Sequence, residues 1–424
     1  MNIPFSRRDF IKLAGASAVL SGCAGAPEAK KPIARVIVVG GGYGGATAAR
    51  YIRAWGGGAI EVFLIERNTQ FVSCPLSNLV LGGSRRIEDL TMGYGKLRDE
   101  GVVVLHDEVI AIDAAKKKIS LSKIADLNYD RLVVSPGIDF MYDQIAGYDA
   151  EAQKTVLHAW KAGPETVALR RQLEAMKDGG VVLLSIPKAP YRCPPGPYER
   201  ISQIAFYLKQ AKPKSKILVL DANEDIVSKK GLFLAAWNDL YKGLVQYMPN
   251  HEVKEVHARA SSVKTDFDTF KADVLNVIPP QRAGNIAAQA KLITTNDRWC
   301  EVDWLTMESK AVAGVYVLGD ATLSASAMPK SASMANNHAK IAAGAIVAQL
   351  TGQPVNPQPV IANTCYSYVS DKEAMHVTSV HRYDAEKKTL LPVAGAGGLS
   401  PQRNELEKGY ADAWAKNIWA DSLG

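Results

Sequence analysis

The sequence predicts an α/β protein with two doubly wound, Rossmann-like dinucleotide-binding domains and a C-terminal α+β interface domain. Three observations predict it. Unbroken apolar runs rich in Val, Ile and Leu alternate with helical periodicity, the pattern of parallel strands covered on both faces. The first run, Ala34 to Val39, passes straight into a glycine-rich turn and an alanine-rich helix, and runs at Gly180–Ile186 and Lys216–Leu220 repeat the strand-helix-strand order. With 424 residues, the chain is also longer than a single hydrophobic core usually serves.

Taken in order, the chain opens on a leader over residues 1–26. Ser6-Arg7-Arg8-Asp9-Phe10-Ile11-Lys12 precedes a short apolar run from Leu13 to Ser21, the twin-arginine arrangement for export of folded proteins. Two ends fit this segment: a small-residue cleavage site at Ala24-Gly25-Ala26, which is preferred, and a lipoprotein-like box, Leu20-Ser21-Gly22-Cys23. Either places the mature protein in the periplasm, where disulfides persist. The run is too short for a permanent membrane span, and no later run reaches about 18 apolar residues, so no transmembrane segment is expected. Part of the net charge of +7 belongs to this leader. The remaining balance, without a basic stripe interleaved with aromatics, argues against a nucleic-acid partner.

The first domain is expected over 33–158 and 286–355. Gly40, Gly42 and Gly45 form G-x-G-x-x-G at the end of a strand. One glycine serves the tight turn, one lets backbone approach a pyrophosphate, and one allows helix-on-strand packing. The helix N-terminus offers unpaired N–H groups to phosphate. The next strand, Glu61 to Ile65, ends in Glu66, close to the roughly 20-residue spacing at which an acid binds a ribose hydroxyl. A polar loop carrying Cys74 follows. Gly101 to Asp113 reads as a strand pair that includes Val109, and Lys116 to Lys118 as a solvated turn. Tyr129 to Val134 is a further strand that ends in Ser135-Pro136-Gly137, and Gly314 to Val317 leads into Leu318-Gly319-Asp320-Ala321.

This combination resembles the two-dinucleotide-domain flavoproteins of the disulfide-reductase family. The resemblance implies FAD, with Asp320 on its ribityl chain and Val109 and Gly137 in the same site. A carboxylate at a strand end can accept hydrogen bonds from ligand hydroxyls. Helix N-capping is the alternative role for Asp320.

In that family the central domain, here 159–285, carries a second glycine motif for NAD(P)H. After Ile186 this chain instead has Pro187-Lys188-Ala189-Pro190-Tyr191-Arg192-Cys193-Pro194-Pro195-Gly196-Pro197. Prolines remove backbone donors and stiffen the turn, so a phosphate cradle cannot form there. No NAD(P) is expected.

Five cysteines are present: Cys23, Cys74, Cys193, Cys300 and Cys365. The four beyond the leader could pair in three ways, and there is no C-x-x-C or zinc-type spacing, so no metal site is expected. A more specific resemblance covers almost the whole mature chain and is to the flavoprotein subunit of flavocytochrome c sulfide dehydrogenase. It rests on Arg67-Asn68-Thr69, Cys74-x-Leu76-Ser77-Asn78, Arg192 to Glu199, Met328 to Ser331, Asn363 to Tyr366 and Tyr410 to Trp414. It implies FAD attached through Cys74 and a redox disulfide between Cys193 and Cys365. It also implies a heterodimer with a c-type cytochrome, which would carry the haem because this chain has no C-x-x-C-H. Pro75, directly after Cys74, departs from expectation for a flavin-linked cysteine. Cys300 matches no role and is expected to be structural.

The implied reaction is oxidation of sulfide, a small inorganic sulfur substrate, to persulfide or elemental sulfur. Hydrosulfide would attack one sulfur of the bridge and release the other as thiolate. Glu199 is a candidate general base, or else a first-turn helix acid. Lys330 is a candidate cation beside the flavin, or a solvated lysine. His338 and His376 have no ligand spacing and are expected to be satisfied structural histidines. Over 356–424 an interface domain is expected, with Tyr366, Tyr368, Tyr410, Trp414 and Trp419 as core or as a path towards haem. The competing readings are a sulfide:quinone oxidoreductase, and a flavin-bearing activator subunit that does not itself turn over sulfide.

Overall fold

The computed structural model describes residues 31–424, so the leader and Cys23 lie outside the described residues. The α/β prediction holds. Five parallel strands form the first sheet, in the order Val315–Val317, Arg131–Val134, Ala34–Val39, Ile60–Ile65, Val103–Leu105. Val36, Ile37 and Val38 are fully buried, as a strand covered on both faces requires. One face is covered by the helix Tyr43–Trp55, which packs on the helix Ala332–Thr351. Small residues permit that contact: a side chain at Gly44 would reach to 3.5 Å from the carbonyl oxygen of Ala335.

The glycine turn has the anatomy its spacing implies. Gly40 has φ +95°, and a Cβ there would lie 2.3 Å from the carbonyl oxygen of Ser135. A Cβ on Gly45 would lie 1.8 Å from the carbonyl oxygen of Gly40, whereas one on Gly42 would meet nothing within 4 Å. Two of the glycines therefore serve packing, and the third leaves space open for a ligand.

The central domain is a second parallel sheet, ordered Val245–Met248, Lys216–Asp221, Val181–Ile186, Val274–Val277. The antiparallel pair Ile138–Phe140 with Gln281–Ala283 marks where the chain passes between the two domains. The C-terminal part is an antiparallel meander, Val360–Tyr368, Ala374–Asp384 and Thr389–Leu399, followed by the helix Glu405–Leu423. Tyr368, Ala374, Ala411 and Ala415 pack against Leu76, Leu79 and Val80, so this domain clamps the loop beyond Cys74.

One local expectation fails. The strands Val103–Leu105 and Val109–Asp113 do not pair with each other: the first joins the parallel sheet and the second an antiparallel meander with Lys118–Leu121. Asp107 separates them, its carboxylate accepting the N–H groups of Glu108, Lys123 and Ile124. A local apolar pattern does not record which sheet a strand joins. Among the described residues no helix is long and apolar enough to cross a membrane.

Candidate active site at the meeting of three domains

A cavity of about 610 Å³ is lined by the glycine turn together with Cys74, Cys193 and Cys365. Gly40, Gly42, Glu66, Val109, Gly137 and Asp320 line it, as do Glu199, Tyr366 and Trp414. Gly45 and Lys330 do not. Gly45 packs beneath the turn, and the buried Lys330 donates to the carbonyl oxygens of Asp320, at 3.0 Å, and Thr322. Its ammonium sits 3.7 Å from the centre of the Trp299 ring, and burial lowers its pKa to about 7.

Asp320 supplies the test for a flavin. Its carboxylate is buried, which pushes its pKa up, and Oδ1 has no hydrogen-bond partner. A buried, unpartnered carboxylate oxygen facing a cavity is costly unless a ligand supplies the donor. The ribityl hydroxyls of a flavin are such donors, and the open face of Gly42 leaves room for its pyrophosphate. These residues fit the group. Glu66 is already engaged, accepting Gly41 N–H at 2.7 Å on one oxygen and Asn68 N–H and side-chain amide on the other.

The cysteines come from three separate segments. Cys74 is half-buried in the turn closed by Ser77 N–H donating to its carbonyl oxygen at 3.0 Å. Cys193 sits at φ +58°, its N–H donating to the Lys330 carbonyl oxygen at 2.8 Å. A Cβ on Gly196 would fall 2.9 Å from the Cys193 sulfur, so glycine is what lets the first turn of the helix Gly196–Ala211 approach it. Cys365 lies within the strand Val360–Tyr368 and donates to Asn363 Oδ1 at 3.3 Å. All four described cysteines are free thiols in this structure. Burial pushes the thiols of Cys193 and Cys365 up, and each sulfur's environment includes Glu199 and Lys229. Cys300 is completely buried in the core of the first domain.

Glu199 is in the first turn of its helix, yet buried. It accepts from Asn78 Nδ2 and from Tyr368 N–H, both at 2.8 Å. Burial raises its pKa despite those hydrogen bonds. Beside it Arg200, fully buried, donates to Asn78 Oδ1 and to the carbonyl oxygens of His158 and Ala159. Burial lowers its pKa to about 10, so it stays cationic at neutral pH.

Sequence reasoning missed Arg200, Asn78 and Lys229 as site residues. Arg200 and Asn78 stood inside quoted motifs, but Lys229 adjoins Lys230 and resembles an ordinary solvated pair. Of the two histidines expected to be satisfied, His376 is and His338 is not. His376 Nδ1 lies 2.7 Å from Glu407, 31 positions along the chain, a pairing no local spacing could show. His338 is only half satisfied: Nδ1 accepts Gly319 N–H at 3.3 Å, while buried Nε2 has no partner.

In the central domain, the position where a second nucleotide would meet a strand-terminal acid is filled by protein. Asp221 ends its strand and accepts from Tyr198 and Tyr247 hydroxyls, both at 2.8 Å, and from Asn223 N–H at 2.9 Å. Asn223 in turn donates to the Pro187 carbonyl oxygen at 3.1 Å and accepts Ala189 N–H at 3.0 Å, tying the proline-rich loop over the strand ends.

Comparison with known proteins agrees with this architecture. Residues 34–172 match the pyridine nucleotide-disulphide oxidoreductase family. Residues 166–279 match the central domain of the sulfide dehydrogenase [flavocytochrome c] flavoprotein chain, and 357–423 the flavocytochrome c sulphide dehydrogenase flavin-binding domain. The chain is 54% identical over 46 residues to the sulfide dehydrogenase [flavocytochrome c] flavoprotein chain of Chlorobaculum thiosulfatiphilum, covering 11% of this chain and 94% of that sequence. It is 22% identical over 341 residues to the mitochondrial sulfide:quinone oxidoreductase of Dictyostelium discoideum, 77% of this chain and 73% of that one. The crystal structure of the sulfide:quinone oxidoreductase from Aquifex aeolicus has the same fold, with a TM-score of 0.73 at 16% identity over 92% of this chain and 91% of that one. With a flavin-binding C-terminal domain and a central domain of the same lineage, this chain is a flavin-dependent oxidoreductase that belongs to the flavocytochrome c sulfide dehydrogenase flavoprotein family.

Proposed function

We propose that this protein oxidises hydrosulfide in the periplasm through a Cys193–Cys365 disulfide and passes the electrons to a c-type cytochrome subunit. The observation that carries the reading is the placing of both cysteines in the wall of the same cavity that Asp320, with its unpartnered carboxylate oxygen, also lines. The flavin, when bound, supplies a two-electron acceptor that can release electrons singly. The chain supplies the sulfur chemistry. Hydrosulfide attacks one sulfur, the S–S bond breaks, and the other sulfur departs as thiolate. A second hydrosulfide takes the outer sulfur of the hydropersulfide, leaving two thiols whose reoxidation delivers two electrons. Glu199 accepts protons released in this cycle.

Cys74, in the same cavity wall, is proposed as the covalent attachment point of FAD. The buried hydrogen bonds of Asp221 and the proline-rich loop support the absence of an NAD(P)H site. Haem belongs to the cytochrome partner, and the twin-arginine leader supports export.

Anaerobic titration of the purified protein tests the reading. Sulfide is expected to bleach the flavin absorbance and NADH to leave it unchanged. A c-type cytochrome should restore the colour. Bleaching by NADH, or none by sulfide, overturns it; restoration by a quinone alone would move the assignment to the quinone-reducing enzymes.

A further inference from the structure

Two cysteines that share a disulfide are chemically equivalent only if their surroundings are. Here they are not. Lys229 stands at the entry to the helix Lys230–Leu240 with φ +56° and is 4% exposed. Its ammonium donates to the Cys365 carbonyl oxygen at 2.9 Å and to Ser367 Oγ at 2.8 Å. Cys365 and Ser367 are two apart on one strand, so their side chains leave the same face. The ammonium therefore lies on the side of the strand from which the Cys365 sulfur projects.

The asymmetry extends to the other neighbours. At Cys365, Lys229 is the largest influence opposing burial. At Cys193, the neighbours after burial are Cys365 and Glu199, both disfavouring a thiolate, with Arg192 and Lys229 weaker counterweights. Cys193 is half-buried, whereas Cys365 is buried. Cys193 is the less enclosed residue and its neighbours disfavour negative charge; Cys365 is enclosed, with the Lys229 ammonium against its strand.

We propose that Lys229 sets the polarity of the cysteine pair: its buried ammonium favours negative charge on the Cys365 sulfur over the Cys193 sulfur, so hydrosulfide attacks Cys193 and Cys365 is the leaving group. The proposal rests on the reading that the two cysteines cycle through a disulfide. In the step, the hydrosulfide lone pair forms a new S–S bond to Cys193 as the Cys193–Cys365 bond breaks, and its electron pair stays on Cys365. One negative charge enters and one remains, so no other reactant is needed. Lys229 does not touch the reacting sulfur of the substrate and is a positioning residue.

The charged and titratable groups around the ammonium are Cys365 on its strand, Cys193 in the proline-rich loop, Glu199 on the helix Gly196–Ala211 and Glu407 on the helix Glu405–Leu423. Burial lowers the Lys229 pKa to about 8 against the pull of these groups. Stabilisation of the thiolate is thus present below about pH 8 and fades above it.

The test uses the flavin-loaded protein, given one equivalent of sulfide without oxygen, alkylated with iodoacetamide and mapped by peptide mass. The extra sulfur is expected on the Cys193 peptide. In Lys229→Met it should divide between the two peptides, and sulfide turnover should fall about tenfold or more, the effect of losing a charge worth about one pKa unit. Lys229→Arg should restore the Cys193 preference and keep turnover above pH 8, where the native protein declines. Ser367→Ala, which retains the lysine, should shift the distribution in the same direction by less, and serves if Lys229→Met does not fold. Extra sulfur on Cys365 in the native protein, or an unchanged distribution in both variants, overturns the proposal. If thiol counting finds no reducible bridge in the native protein, the disulfide reading fails first and takes this proposal with it.

Discussion

Asn78 Nδ2 donates to Glu199 Oε2 at 2.8 Å, so one buried hydrogen bond joins the loop after Cys74 to the helix after Cys193. The other Glu199 oxygen accepts Tyr368 N–H at 2.8 Å, three residues beyond Cys365. A single carboxylate ties together the segments carrying all three cavity cysteines. This geometry explains why an acid in a first helical turn, ordinarily exposed, is here enclosed.

Glu199→Gln tests its chemical role. Burial holds the carboxyl above the usual range, so native turnover should rise as pH climbs through that raised value and the base form appears. The amide variant should lose that limb and about 100-fold in kcat at saturating sulfide. Steady-state rates from pH 5 to about 8 check both. A retained limb with an unchanged kcat would return Glu199 to a structural role.

Asp320 should decide flavin retention. Asp320→Ala is expected to purify with little bound flavin, read from absorbance per polypeptide. A second consequence concerns the flavin-free protein. Because burial raises the Asp320 pKa, the stability this group contributes is present below its unfolded pKa and is lost as pH rises through the folded one. Flavin-free Asp320→Asn should therefore be more stable than the flavin-free native protein at pH 7, with the difference closing in acid. Urea unfolding at several pH values measures it.

Acid denaturation addresses the link to Cys74. Yellow colour should stay with the native polypeptide and be released from Cys74→Ala. Free FAD from the native protein would remove the covalent bond from the proposal while leaving the cysteine pair in place.

Gly45→Ala should fail to accumulate as folded protein. The added methyl would lie 1.8 Å from the Gly40 carbonyl oxygen, an overpacking against backbone that costs about 3 kcal/mol or more. Gly42→Ala, with nothing within 4 Å, should fold normally and lose flavin affinity. Circular dichroism and flavin content separate the two.

What the sequence determined by itself is local. The Val36–Val39 run, the spacing of Gly40, Gly42 and Gly45, and the prolines after Ile186 each encode a conformation through neighbouring residues, and the structure shows the resulting turn and loop. The resemblance motifs added candidate roles for Cys74, Cys193, Glu199, Asp320 and Cys365, residues that all line one cavity. Tertiary structure decided the rest. Glu407 reaches His376 across 31 positions, and Lys229 reaches Cys365 across 136. It also set Val103–Leu105 and Val109–Asp113 in different sheets. Charge, burial and strand partnership depend on what arrives from elsewhere in the chain. A lysine beside another lysine gives no sign that folding will remove it from water and set it against the strand that carries Cys365.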